Sequence, residues 1–248
     1  MSFFSTSPLR YPGGKGKLGP WLGELMRHNN ISGGSYIEPY AGGAGAALYL
    51  LFSGYVNHII INDADKAIYA MWHSIIHKTE YFLQKMNETP VTMDSWYKQK
   101  DIINNPESHS LLDYGFAAFF LNRTNISGVV KGGAIGGKQQ LGNYKIDARF
   151  NKVDLAKRIQ RIAGYKNSIE VHNLDALDLI DMISDGKMLK KSMFYFDPPY
   201  YVKGSQLYRN HYKHDDHVLI AEKIQALKTP WLVTYDNCEP IKKNISEF

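Results

Sequence analysis

The 248 residues, 44% of them hydrophobic, suffice for one large α/β domain or for a core domain with a smaller insertion, and the net charge is only +5. A single cysteine, Cys238, excludes a disulfide framework and any cysteine-based zinc site, and it fits a reducing cytoplasm. No apolar run approaches a membrane span and Met1-Ser2-Phe3-Phe4 lacks a signal-peptide layout, so no membrane association is expected.

The chain opens with turn formers and glycines, Pro8-Leu9-Arg10-Tyr11-Pro12-Gly13-Gly14-Lys15-Gly16-Lys17, which lead into an amphipathic stretch from Leu18 to Met26. Such a loop lets backbone approach a ligand closely, with the Tyr11 ring for stacking and the Lys15 cation for a carboxylate or phosphate. Ser35 to Tyr40 reads as a short strand, followed by the turn Ala41-Gly42-Gly43-Ala44-Gly45 and a helix from Ala46 to about Phe52. A glycine-rich strand-to-helix turn marks the nucleotide-binding corner of a doubly wound sheet, although Leu48 stands where a dinucleotide fingerprint has its third glycine. The next strand, His58 to Ile61, ends at Asn62-Asp63. An acid about 20 residues past the glycine turn is placed to accept from ribose hydroxyls, so this half reads as a pocket for an adenosine-bearing ligand. Asp63 reads equally as the N-cap of a helix from Lys66 to Ile76.

From His77 to Tyr165 the α/β rhythm breaks. Helical patterns cover Tyr81 to Met86, Met93 to Ile103 and Leu111 to Leu121, the last apolar nearly all round and therefore buried. A long loop follows, rich in Gly, Asn, Arg, Lys and Gln, the residue types that read base edges and hold phosphates. Residues 120–166 hold ten Lys/Arg against two Asp/Glu, so the whole positive excess sits here, as expected of a segment that meets a polyanion. Arg123, Asn125, Lys131, Lys138 and Arg149 are the side chains it offers. On a helix from about Lys152 to Ala163, Leu155, Ile159 and Ile162 form the buried stripe. Lys157, Arg158 and Arg161 share the other face, which reads as tracking phosphates or as solvated, solvation being favoured for the individual residues.

The α/β rhythm resumes with a strand from Ser168 to His172, then Asp175, which reads as a contact to the adenine edge of a cofactor or as another helix N-cap, and a helix from Ala176 to Met182. The apolar run Met193-Phe194-Tyr195-Phe196 stops at Asp197-Pro198-Pro199-Tyr200, an acceptor-rich turn with an aromatic ring that suits the amino group of a flat, nitrogen-rich ring. A polar loop from Tyr201 to Tyr212, a helix from Asp215 to Leu227 and a strand from Trp231 to Tyr235 complete the pattern. Glu38, Asp63, Asp175 and Asp197 all fall at the carboxyl ends of expected strands, where open sheets bind ligands. None of the nine histidines forms a metal-ligand constellation; His211, His214 and His217 read as loop and helix-surface residues, and no metal is expected.

Tyr11-Pro12-Gly13-Gly14-Lys15, Glu38-Pro39-Tyr40-Ala41-Gly42-Gly43-Ala44-Gly45, Asn62-Asp63, Phe120-Leu121-Asn122-Arg123 and Asp197-Pro198-Pro199-Tyr200 occur in the order found in the Dam-like, alpha-group N6-adenine-specific DNA methyltransferases, which the chain resembles from about Leu9 to Asn237. The resemblance implies a doubly wound, Rossmann-like S-adenosylmethionine-dependent methyltransferase sheet formed by residues 1–76 and 166–248, with an inserted, mainly helical target-recognition domain at 77–165. It assigns Tyr11, Lys15, Asp63 and Asp197 to S-adenosylmethionine, with Glu38, Gly42 and Asp175 completing the expected cofactor site. The expected reaction is methyl transfer to N6 of an adenine flipped out of double-stranded DNA. Tyr200 would stack on the base, and Asp197 and Pro198, backed by Pro199, would accept the N6 hydrogens. A monomer is expected, with a cognate restriction endonuclease as a candidate partner. The chain departs from the family pattern at Tyr40, where phenylalanine is usual, and at Ala44, where many members carry glycine. It also stops at Phe248, where family members continue through another helix and a strand hairpin. A truncated chain would leave room for a catalytically impaired DNA-binding protein of the same fold. A methyltransferase acting on another planar amide or amine, in RNA or protein, is the third reading, which the basic insertion disfavours.

Overall fold

The computed structural model describes residues 6–10, 13–184, 191–201, 212–238 and 241. Five strands, β1 (Ser35–Glu38), β2 (His58–Asn62), β3 (Ile169–His172), β4 (Ser192–Phe196) and β5 (Trp231–Val233), form one sheet in the order β3-β2-β1-β4-β5. Every pairing is parallel, with Ile37 opposite both Ile60 and Phe194, and Phe196 opposite Val233. Parallel strands need crossovers, and here helices cover both faces, which is why the central strands are apolar runs without polar alternation.

Side chains alternate across the sheet, so each strand feeds two cores. Tyr36, Ile59, Ile61, Met193 and Tyr195 face a large cluster built with α1 (Gly19–His28), α2 (Gly45–Phe52), α3 (Lys66–His77) and the helices of the central segment. Ile37, Ile60, Phe194 and Phe196 face a smaller cluster closed by α8 (Ala176–Ser184) and α9 (His214–Gln225). The central segment contributes α4 (Thr79–Glu88), α5 (Met93–Asn104), α6 (Leu111–Thr124) and α7 (Lys152–Ala163). Its Phe82, Trp96, Phe116, Phe119, Phe120, Leu155, Ile159 and Ile162 belong to the same cluster as the sheet face, so the insertion has no separate core. Phe116, Phe119 and Phe120 are fully buried, as the apolar composition of this helix requires.

The helices follow the sequence periodicity closely, and α7 coincides with the expected range. Strands β1 and β5 run shorter than expected, stopping at Glu38 and Val233, while β2 and β4 each gain one residue, Asn62 and Ser192. Residues 202–211, most of the expected polar loop, lie outside the described residues, as do Tyr11 and His211. Among the described residues no helix is long and apolar enough to cross a membrane.

Two helices, α3 and α6, sit against each other because Gly115 has no side chain. A Cβ there would lie 2.3 Å from the Ala70 carbonyl oxygen. Gly115→Ala should therefore destabilise the protein by about 1–3 kcal/mol through overpacking. Urea unfolding checks this, and an unchanged midpoint would mean that the helices have slack to separate.

Candidate active site at the sheet switch point

The strand order reverses its direction of growth at β1, since β2 and β3 lie on one side and β4 and β5 on the other. The helices leave to opposite faces at that point, opening a crevice at the carboxyl ends of β1 and β4. Glu38 ends β1 and Asp197 follows β4, so both acids project into the crevice from adjacent strands. They share the sheet face of Tyr36 and Tyr195 by the two-residue alternation, and those two rings stack beneath them at 6.3 Å.

The glycine-rich loop brings Lys15 across the opening. Its ammonium pairs closely with Asp197 Oδ2, lies 3.4 Å from the Tyr200 hydroxyl and stands 5.5 Å from the centre of the Tyr200 ring. The other carboxylate oxygen of Asp197 accepts from the Thr234 hydroxyl at 2.8 Å. The Tyr201 N–H donates to Asp236 Oδ1 at 3.0 Å, so residues just past β5 hold both ends of the Asp-Pro-Pro-Tyr turn. Neither Thr234 nor Asp236 stands out in the sequence. Their only signal there is position: Thr234 falls inside the strand expected from Trp231 to Tyr235 and Asp236 directly after it, beside the strand that ends at Asp197.

On the other side of the crevice, Asp63 Oδ2 accepts from Gly42 N–H at 3.0 Å and Oδ1 from Asp65 N–H at 2.9 Å. Asp65, not Asp63, caps α3, accepting from Ala67 N–H at 2.9 Å. Asp63 thus ties the glycine turn to the end of β2, and each of its oxygens keeps a second lone pair for a ligand. Gly42 supports this arrangement from behind: its N–H is held by Asp63 and its carbonyl accepts from Trp72 Nε1 at 2.8 Å. Ala44 adopts φ +46°, a left-handed conformation that disfavours a side chain by about 1 kcal/mol and explains why glycine suits this position. Asp175 accepts from Leu177 N–H at 2.9 Å and caps α8; it is exposed and lies outside the crevice lining, so the capping alternative is the one its geometry favours.

One continuous cleft results, lined by Gly13, Gly14, Lys15, Glu38, Tyr40, Asp63, Ile68, Lys131, Asp197 and Pro199 among others. It offers the acidic groups of Glu38 and Asp197 on one side and of Asp63 on the other, the Lys15 cation paired with Asp197, and apolar wall. Tyr40 and Tyr212 close one wall, their hydroxyls 2.7 Å apart. A family model described as D12 class N6 adenine-specific DNA methyltransferase matches residues 11–248. The chain belongs to this family. It is an adenine-specific DNA methyltransferase. No curated protein matches the chain.

In this methyltransferase the residues expected to meet DNA divide into two groups. Lys131, Lys138 and Arg149 are exposed, and Arg149 lies 5.8 Å from the centre of the Tyr144 ring. Asn125 is corrected: it is fully buried, accepting from Trp96 Nε1 at 2.6 Å and donating to the carbonyls of Val129 and Val130. With its amide engaged inside the protein it folds the loop and cannot read a base. Arg123 is half-buried and is engaged with the protein's own backbone. Its guanidinium donates to the Arg149 carbonyl and, at 3.5 Å, to that of Pro8, and burial with Arg10 and Arg158 nearby pushes its pKa down to about 10. The flanking Asn122 donates to the carbonyls of Arg10 and Gly128 and accepts from Arg10 N–H, each within 2.9 Å. The Asn122-Arg123 pair therefore clamps the segment leading to Lys15 onto the end of α6. Gly128 permits the fit: it has φ +77°, and a Cβ would meet the Arg10 carbonyl oxygen at 2.1 Å. On α7, Arg158 is half-buried and donates to the Ser7 carbonyl at 3.0 Å, whereas Lys157 and Arg161 are exposed, Arg161 lying 4.2 Å from the Phe52 ring centre. His217 is also corrected, being buried among Tyr201, Tyr212 and Tyr235 rather than on a helix surface.

Burial pushes the Glu38 carboxyl up to about 8, with the Asp197 charge acting in the same direction; the Tyr36 hydroxyl and the Lys15 ammonium act against it. Asp63 rises to about 7 through burial, opposed by the N–H groups it holds. An acid whose pKa is higher folded than unfolded binds its proton more tightly in the native state. The resulting stability is full below about 4.5 for Glu38 and is lost as pH rises to about 8. The ligand-free protein should accordingly melt a few degrees lower at pH 8 than at pH 5. Glu38→Gln should flatten that slope in a calorimetric series, and an equally steep slope in the variant would assign the effect elsewhere.

Proposed function

We propose that the protein transfers a methyl group from S-adenosylmethionine to N6 of an adenine flipped out of double-stranded DNA at a specific sequence, in the manner of the Dam-like alpha group. The observation that carries this reading is the convergence of Lys15, Asp197 and the glycine turn held by Asp63 in one cleft at the switch point. The residues fit the donor. Asp63 has lone pairs for ribose hydroxyls, Lys15 has a cation for the donor's carboxylate, and Tyr40 and Ile68 provide apolar wall. Tyr11, in the same loop as Lys15, is the further cofactor contact expected from the resemblance. When bound, the donor supplies an electrophilic methyl group on a sulfonium.

The protein's own part is to orient and stabilise. Asp197 Oδ2 and the Pro198 carbonyl accept the two N6 hydrogens, which directs the nitrogen lone pair away from the turn and toward the donor. Pro199 keeps the turn rigid, since its ring fixes φ and it has no N–H of its own. Tyr200 stacks on the base. As methyl transfer proceeds, positive charge develops on N6, and the Asp197 carboxylate stabilises it from a fixed position. Lys15, paired with Asp197 beforehand, turns its ammonium toward the donor's carboxylate, leaving Oδ2 available to the amine. Flipping the base requires unstacking at about a few kcal/mol. Lys131, Lys138 and Arg149, three of the exposed cations of the central segment, offset this by pairing with phosphates.

The segment 77–165 acts in this reading as the target-recognition part, a monomer suffices, and a cognate restriction endonuclease is a candidate partner in a reducing cytoplasm. Incubation of unmethylated genomic duplex DNA with labelled donor, followed by nucleoside analysis, should yield N6-methyladenine. Asp197→Ala should lower the single-turnover rate by about 10²–10³-fold; retention of most of the rate would remove Asp197 from the mechanism. The double variant Lys131→Ala/Lys138→Ala should bind DNA more weakly, and the slope of log K against log salt should fall by about 1 for each lysine that no longer neutralises a phosphate. An unchanged slope would exclude both lysines from the DNA backbone.

A further inference from the structure

Asp197 can act as proposed only if its carboxylate presents one oxygen to the cleft and keeps that orientation. The carboxylate torsion of an aspartate is broad and offers little resistance of its own. Lys15 cannot fix it, because a long, flexible lysine follows whichever anion it meets. Thr234 is different in kind. Its backbone N–H donates to the Phe196 carbonyl at 2.9 Å, one residue before Asp197, so the β4–β5 ladder sets its position. Its side chain is β-branched and stiff at χ1.

The direction of the hydrogen bonds follows from the groups. A carboxylate only accepts, so the single Thr234 hydroxyl proton goes to Asp197 Oδ1, at 2.8 Å. The Tyr195 hydroxyl, 3.0 Å from Thr234 Oγ1, must then be the donor to it. The chain runs one way, from Tyr195 through Thr234 to Asp197, and successive bonds of this kind polarise one another. Its origin is immobile, since Tyr195 is buried at 2% exposure and stacked on Tyr36.

We propose that Thr234, backed by Tyr195, is the positioning residue of methyl transfer: it holds Asp197 Oδ1 so that Oδ2 faces the adenine amino group. The inference rests on the reading of Asp197 as the N6 acceptor. Thr234 touches neither substrate, and it acts through the carboxylate.

The test is single-turnover transfer of labelled methyl from S-adenosylmethionine to unmethylated genomic duplex DNA, with KM for both substrates measured alongside. Thr234→Val keeps the shape and removes the hydroxyl; its transfer rate should fall about 10–100-fold, as for a small misplacement of a reacting group, with both KM values within about threefold. Thr234→Ser restores the hydroxyl and should recover most of the missing rate, and Tyr195→Phe should lose less than Thr234→Val. A merely structural role would lower melting temperature and rate together in Thr234→Val and would not be reversed by serine. If Thr234→Val does not fold, Thr234→Ala measured at a temperature where it is native takes its place against Thr234→Ser. Transfer within twofold of wild type in the hydroxyl-free variant, an equal loss in Thr234→Ser, or a change confined to KM would each overturn the proposal. Asp197→Ala run in parallel separates the two claims. Full activity there would overturn the acceptor reading itself, whereas an inactive Asp197→Ala with an unaffected Thr234→Val overturns only the role of Thr234.

Discussion

The Asp197 carboxylate meets the Lys15 ammonium at Oδ2 and is held by the Thr234 hydroxyl at Oδ1. Those partners come from the first and last parts of the described chain, and the sheet is what unites them. Because β1 is flanked by β2 and β4, the Asp-Pro-Pro-Tyr turn opens beside the glycine turn rather than across the sheet from it. Because β5 pairs with β4 one position out of the site, Thr234 arrives level with Asp197. A slip of one residue in that register would turn Thr234 to the opposite face.

The approach of Lys15 is equally constrained. The segment before it is pinned to α6 and α7 by Asn122, Arg123 and Arg158, all acting on its backbone. These polar groups are drawn from the basic central segment, yet their targets are internal carbonyls and amides. Cationic residues here do two kinds of work. Half-buried arginines fix the loop that carries Lys15, and exposed cations remain for a polyanion. The central helices share one hydrophobic cluster with the sheet face, so the scaffold that presents those cations is continuous with the one that carries the cleft. Glu38 and Asp63 are held in surroundings that disfavour their charge, so each keeps its proton to a higher pH than a free carboxyl.

Several helices were legible from a buried stripe of regular period, as Leu155, Ile159 and Ile162 locate α7, and α6 from a composition apolar nearly all round. That Glu38, Asp63 and Asp197 line one cleft was legible from their place at the carboxyl ends of expected strands, positions that the family motifs also mark. Thr234 was not, because its importance lies in a hydrogen bond to a residue 37 positions away that only the strand pairing creates. Asn125 misled for a related reason. A loop rich in polar side chains must satisfy its own backbone before it can serve a ligand, and composition does not say which side chains turn inward. Asp175 shows the same ambiguity at a helix start, where capping and ligand binding call for the same residue type. His217 was hidden by its neighbours, since a histidine in a polar helix gives no sign that three tyrosines from elsewhere will enclose it.

If methyl donor and target base meet over Asp197 at the switch point, a crystal structure with a non-reactive analogue of S-adenosylmethionine will show it. The analogue's ribose hydroxyls should lie on Asp63, its carboxylate on the Lys15 ammonium, and its methyl-bearing centre should point toward Asp197 and Pro199. An analogue seated elsewhere, or one that leaves Asp63 and Lys15 untouched, would overturn that placement.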